Sequence, residues 1–184
     1  QVGLNPERMA IANNKLYVTN SGGLNTPLMD STVSIIDLDT QQEMERITVG
    51  MNPGTIKADP YGDIYVVARG NYGSIPSRMK RINSQTNIVE ETFDADISGI
   101  SAFNDDFLIT YYDFASAQNN IGFFNTVTET IELTEFMPLN EIETLYGLSY
   151  NPINNRIYIS DAMGYTNTGY IREYDAQGNY MQSY

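Results

Sequence analysis

Leu16-Tyr17-Val18-Thr19, Ile64-Tyr65-Val66-Val67, Phe107-Leu108-Ile109-Thr110 and Ile157-Tyr158-Ile159-Ser160 are four versions of one short pattern, spread along a chain of 184 residues. Their second positions, Tyr17, Tyr65, Leu108 and Tyr158, lie 48, 43 and 50 residues apart. A second landmark follows each. It reads Asp37-Leu38-Asp39-Thr40, Asn83-Ser84-Gln85-Thr86, Asn125-Thr126-Val127-Thr128 and Asp175-Ala176-Gln177-Gly178, with starts 46, 42 and 50 residues apart. Two landmarks that keep step define a repeat of about 47 residues.

Each period has room for four short strands, in the first at about 7–12, 15–20, 32–38 and 43–49. The hairpins between first and second strands carry turn chemistry: Asn13-Asn14, Asp59-Pro60-Tyr61-Gly62-Asp63, Asn104-Asp105-Asp106 and Asn151-Pro152-Ile153-Asn154-Asn155. Asn and Asp tolerate a left-handed backbone and bond their own turns. The second landmark is the hairpin between third and fourth strands, where the leading Asp or Asn accepts from backbone amides further on. Four antiparallel strands per 40–50 residues is the pattern of a β-propeller blade. A β-sandwich would not keep two landmarks in register. The expected fold is therefore all-β, a β-propeller with four four-stranded blades at about 5–49, 52–94, 97–136 and 145–184. Val2-Gly3-Leu4-Asn5-Pro6 matches Val49-Gly50-Met51-Asn52-Pro53, which leaves the first blade. The chain is thus expected to be the C-terminal part of a larger propeller, a closed four-bladed ring being the alternative.

Composition narrows the chemistry. Ten Lys+Arg stand against 23 Asp+Glu, a net charge of −13, which argues against nucleic acid and against an anionic membrane surface, since both are bound largely through cations. No His and no Cys occur, so His bases, Cys nucleophiles, thiolate or imidazole metal sites and disulfides are excluded in this chain. Nineteen Asn, 14 Tyr and 14 Gly favour strands and turns. No run reaches the ~18 apolar residues of a spanning helix.

Leu16-Tyr17-Val18-Thr19-Asn20 followed by Thr32-Val33-Ser34-Ile35-Ile36-Asp37 is similar to the YVTN-type propeller repeats of bacterial surface proteins. Lys15 to Gly23, Ser34 to Asp39, Asp63 to Gly70 and Tyr146 to Ala162 together resemble the cobalamin-binding surface lipoproteins of Bacteroidetes. The resemblance implies a seven-bladed propeller held outside the outer membrane. It also implies capture of a corrinoid such as vitamin B12 as ligand, with no cofactor, and its hand-over to a TonB-dependent transporter. The chain departs from that family in showing four blades and no lipidated Cys. No ligand contact is carried over from it.

Propeller ligand sites lie on one face near the axis, built partly by loops from second to third strands. Here those loops are Asn20–Ser31, Ala68–Ser77, Tyr111–Asn119 and Asp161–Gly169, rich in Tyr, Asn, Gly and Ser. Tyr offers a rigid apolar face with a polar tip, and Asn offers donor and acceptor together. The candidate ligand-binding residues are Asn20, Arg69, Tyr72, Tyr111, Tyr112, Asp161 and Tyr165. The plainer reading is that the aromatics brace long loops against neighbouring blades. Arg69 suits a ligand phosphate or carboxylate, or an ordinary ion pair with Asp63 or Asp113.

Catalytic patterns are weak. Ser77-Arg78-Met79-Lys80 has acyl-enzyme spacing but enters a predicted strand, where residues three apart face opposite ways. Glu90 and Glu91 are adjacent on a strand and cannot line one cleft. Glu141 and Glu143 lie in an inter-blade connection and read as solvated rim charge. Asp94, Asp96, Asp105 and Asp106 lack the spacing of a calcium loop. The expected function is non-catalytic capture of a small molecule, the rivals being an interaction scaffold or glycan-binding surface protein, and an enzyme such as a polysaccharide lyase or hydrolase built on a propeller.

Overall fold

The computed structural model describes residues 1–23, 25, 28–113, 118–132 and 135–184. Among the described residues, sixteen strands form four antiparallel sheets of four, each in sequence order. The first holds β1 (Pro6–Ala12), β2 (Lys15–Asn20), β3 (Thr32–Asp37) and β4 (Glu43–Thr48). The second holds β5 (Pro53–Ala58), β6 (Ile64–Ala68), β7 (Arg78–Asn83) and β8 (Ile88–Phe93). The third holds β9 (Ile97–Phe103), β10 (Asp106–Asp113), β11 (Gln118–Asn125) and β12 (Thr130–Glu132). The fourth holds β13 (Leu145–Asn151), β14 (Arg156–Asp161), β15 (Tyr170–Asp175) and β16 (Tyr180–Ser183). The fold is all-β, built of propeller-type blades, with one sheet on each sequence repeat. Residues 24, 26–27 and 114–117, which fall in the expected loops, and residues 133–134, near the expected end of the third blade, lie outside the described residues.

Both landmarks have physical causes. The first pattern is β2, β6, β10 and β14, a well-buried strand in each sheet, where Tyr17, Val66, Leu108 and Ile159 are 0% exposed. The second is a side-chain-closed turn. Asp37 Oδ1 accepts from the amides of Asp39 (3.0 Å) and Thr40 (2.7 Å), and Asn83 Oδ1 from those of Gln85 (2.9 Å) and Thr86 (3.2 Å). Asn125 and Asp175 do the same for their own turns. Asn13 and Asn14 both have positive φ, 46° and 58°, the conformation that a two-residue hairpin demands.

The chain forms two compact units, Gln1–Ile100 and Ser101–Tyr184. In the first, Tyr17, Val33 and Ile35 of the first sheet pack with Ile56, Ile64, Val66 and Ile82 of the second. In the second, Leu108 and Ile121 pack with Met137, Ile157, Ile159 and Tyr174. Phe103 lies 5.5 Å from the Phe136 ring and 4.7 Å from the Tyr150 ring. Leu108 thus takes the repeat's Tyr position in a joint that other aromatics fill.

Candidate functional site

Three candidates at the ends of second strands are engaged in holding their loops. Asn20 is fully buried, and its Nδ2 donates to Thr32 Oγ1 and Ser34 Oγ, each at 3.0 Å. Asp161 is 1% exposed. Its Oδ1 accepts from the Thr144 amide (2.9 Å) and the Met163 amide (3.2 Å), and its Oδ2 lies 3.1 Å from Arg172. Burial alone would raise the Asp161 pKa, but these bonds and the Glu143 amide outweigh it and hold the carboxyl below its ordinary value. Arg69 forms a fork on Glu7, at 2.9 and 2.5 Å, and reaches Asn52 Oδ1 at 2.8 Å. The expectation of Asp63 or Asp113 as its partner is corrected. Glu7 of β1 reaches it across the joint, while Asp63 lies 2.7 Å from Arg81.

The tyrosines divide differently. Tyr72 and Tyr165 are 70% and 72% exposed, both with positive φ (57° and 62°), which presents each ring on a tight turn. Tyr165 meets Tyr146 edge to face at 6.0 Å between centroids. Tyr146 was not among the sequence candidates and is equally exposed. On β10, Tyr111 is half-buried opposite Asn120, and Tyr112 is exposed opposite Asn119. Burial, then the charges of Asp113 and Glu135, push the Tyr111 pKa up.

The second unit also holds a cleft of about 380 Å³ between the start of β11 and the connection from β12 to β13. Its polar wall is Gln118, Asn119, Asn120, Glu135, Asn140 and Glu143. Among the described residues, none of these six side chains makes a hydrogen bond or ion pair. The floor includes Leu139, Ile142 and Leu145, which pack on the unit's core and fix the connection. Glu143 joins the cleft to the Tyr165 turn: a Cβ on Gly164 would stand 2.9 Å from Glu143 Oε1, and the Gly164 amide donates to Thr144 Oγ1 at 2.9 Å. Glu143, expected as solvated rim charge, is exposed and also lines the cleft. The amides at 118–120 were absent from the candidates. The signal for two of them was hairpin register, since the β10–β11 pair sets Asn120 opposite Tyr111 and Asn119 opposite Tyr112, with Gln118 opposite Asp113.

Elsewhere the weak motifs have structural roles. The Ser77 hydroxyl donates to the Ile97 carbonyl as the chain enters β7. Glu90 bonds Arg81 and Asn83. Among the described residues no group of three or more Asp or Glu gathers as for a metal ion.

The chain is similar in fold to hydrazine synthase of Kuenenia stuttgartiensis, with a TM-score of 0.67 and 17% identity over 92% of this chain and 51% of that one. It is also similar to the dihydro-heme d1 dehydrogenase NirN, solved in complex with DHE, with a TM-score of 0.63 and 12% identity over 99% of this chain and 36% of that one. It spans about half the length of the first and about a third of the second. At such identities the likeness is one of fold, a β-propeller-like array of four-stranded blades. No family model matches the sequence, and no curated protein does.

Proposed function

We propose that this chain is a non-catalytic binding module that captures a small molecule at the cell surface. The ligand is a corrinoid and the recipient a TonB-dependent outer-membrane transporter. The observation that carries the reading is the cleft of the second unit, with six polar side chains that have no partner among the described residues. Donors and acceptors held on a packed connection bind with little ordering cost. A corrinoid exceeds about 380 Å³, so only part of it enters. The corrin edge bears amide side chains, which Gln118, Asn119, Asn120 and Asn140 match donor for acceptor. Tyr112 and the Tyr146–Tyr165 pair offer ring faces for the remainder. Among the described residues, no Lys or Arg lines the cleft, so a ligand phosphate stays outside it. Arg69, held by Glu7 and Asn52, plays no part in the proposed site.

A glycan is the second reading. Among the described residues, Glu135 and Glu143 meet no counter-cation in the cleft, and such carboxylates with exposed Tyr suit a polyol as well. Calorimetric titration with cyanocobalamin tests the first reading, and a glycan array the second. Affinity lost in an Asn119→Ala/Asn120→Ala chain assigns either ligand to the cleft. Unchanged affinity in that chain removes the cleft from the account.

A further inference from the structure

Met163, Gly164 and Tyr165 follow one another with φ of 45°, 67° and 62°. Residues of L chirality take such angles singly, because in a run each Cβ crowds the next carbonyl. Ala162 and Thr166, at φ −83° and −121°, bound the run. Strain of this kind persists only where the surroundings over-determine it, and binding sites are among the places that hold it. What the turn delivers is the exposed Tyr165 ring, edge to face with Tyr146.

Tyr146 is set by a second irregularity. Between β13 and β14, Leu145 pairs with Asp161 and Gly147 with Ser160. Tyr146 is therefore the extra residue of a bulge, a device that re-aims a side chain. The strands close tightly beside it, since a Cβ on Gly147 would stand 2.6 Å from Ser160 Oγ. The first and second sheets have the same one-residue excess, between Pro6 and Met9 and between Pro53 and Ile56. There the residues are Glu7 and Arg8, and Gly54 and Thr55. The bulge belongs to the blade, while the ring on it is particular to the fourth.

One carboxylate ties this ring pair to the cleft. Asp161 Oδ1 accepts from the Met163 amide of the turn (3.2 Å) and from the Thr144 amide (2.9 Å), and Oδ2 accepts from the Glu143 amide (3.3 Å). Thr144 answers in kind. Its carbonyl accepts from the Ala162 amide and its Oγ1 from the Gly164 amide, each at 2.9 Å. Arg172 holds Asp161 Oδ2 at 3.1 Å and is itself fixed by Ser183 Oγ at 3.0 Å and by the Tyr170 ring, 4.5 Å away.

We propose that Asp161 is the positioning residue of the ligand site, fixing the cleft wall at Glu143 and the Tyr146–Tyr165 pair as one surface, a role that rests on the cleft being where the ligand binds. At 1% exposure Asp161 is out of a ligand's reach, so it acts through the groups it holds. A ligand that spans cleft and rings meets both already in place, and little ordering is left to be done on binding.

The chain has no Trp, so Tyr165→Trp puts a single fluorophore on the turn. Acrylamide quenching and anisotropy of that indole are read without ligand. Asp161→Asn sets an amide NH2 against the Glu143 amide and Arg172, and Thr144→Val removes the side-chain acceptor of the Gly164 amide. In both, with circular dichroism showing a folded chain, quenching is expected to rise at least twofold and anisotropy to fall. Thr144→Val alone decides if Asp161→Asn does not fold. Leu108→Ala, a loss from the core of the same unit, controls for general loosening and should leave both readings as they were. Titrated with cyanocobalamin, Asp161→Asn in the Tyr165 chain should bind at least fivefold more weakly than the parent. An indole that Asp161→Asn and Thr144→Val leave unmoved overturns the proposal. So does one that Leu108→Ala shifts as far, or an affinity that Asp161→Asn leaves unchanged. A parent chain that binds no cyanocobalamin overturns the corrinoid reading instead, and the indole still decides what Asp161 positions.

Discussion

The Tyr17 hydroxyl, on the second strand of the first sheet, stands 3.2 Å from the Ser84 carbonyl and 3.1 Å from Asn87 Oδ1 in the last turn of the second. The two repeat landmarks, read separately in the sequence, therefore meet in space across this joint. The recurring chemistry of the period has a mechanical role here, because the first blade's Tyr17 closes on the second blade's turn.

Tyr17→Phe should cost about 1 kcal/mol, the worth of a buried hydrogen bond, and lower the melting temperature by a few degrees. Burial first, then Glu45 and Asp63, push the Tyr17 pKa up from 10.0 to about 12. A folded pKa above the unfolded one gives stability that is complete below pH 10 and lost as pH rises towards 12. Denaturant midpoints between pH 9 and 12 check this: the parent should lose stability faster than Tyr17→Phe.

Asp161 should be a strong structural position. Removing one partner of a buried pair leaves the other charge uncompensated, so Asp161→Ala should cost about 3–5 kcal/mol. Its folded pKa lies below the unfolded value. The stability it gives is therefore present above the ordinary carboxylate range of about 4 and lost as pH falls through the lower folded pKa. Urea titrations at pH 7 and pH 3 measure both. A difference between parent and variant that stays constant across that interval would refute the linkage.

Arg69 and Glu7 are partly exposed, with side chains 25% and 30% accessible. Arg69→Ala should therefore cost only about 1 kcal/mol. In the same titration used for the parent, it should leave ligand affinity within twofold.

Much of this architecture is legible in the sequence because strands and turns are local. Asp37, Asn83, Asn125 and Asp175 close their turns with their own side chains, which needs no knowledge of the rest of the chain. The site is less legible. Arg69 finds Glu7 62 residues away, and the sequence suggested nearer carboxylates. Asn20 and Asp161 stand at the right strand ends, but their small polar side chains fold back to bond adjacent backbone and hydroxyls. The cleft is set by how the connection carrying Leu139 and Ile142 settles on the unit's core, a tertiary event that no repeat announces.

Asn119 and Asn120 should matter for binding and hardly for folding. Asn119 is exposed, Asn120 half-buried, and neither side chain has a partner among the described residues. The double alanine variant should melt within about a degree of the parent, yet bind ligand at least tenfold more weakly. Tyr165→Ala should act in the same direction, because it removes one ring of the exposed pair with Tyr146.

The most direct test is calorimetric titration of the protein with cyanocobalamin. One-to-one binding that Asn119→Ala/Asn120→Ala weakens at least tenfold is the predicted result. No heat at tens of micromolar protein, with no retention in equilibrium dialysis, would contradict corrinoid capture.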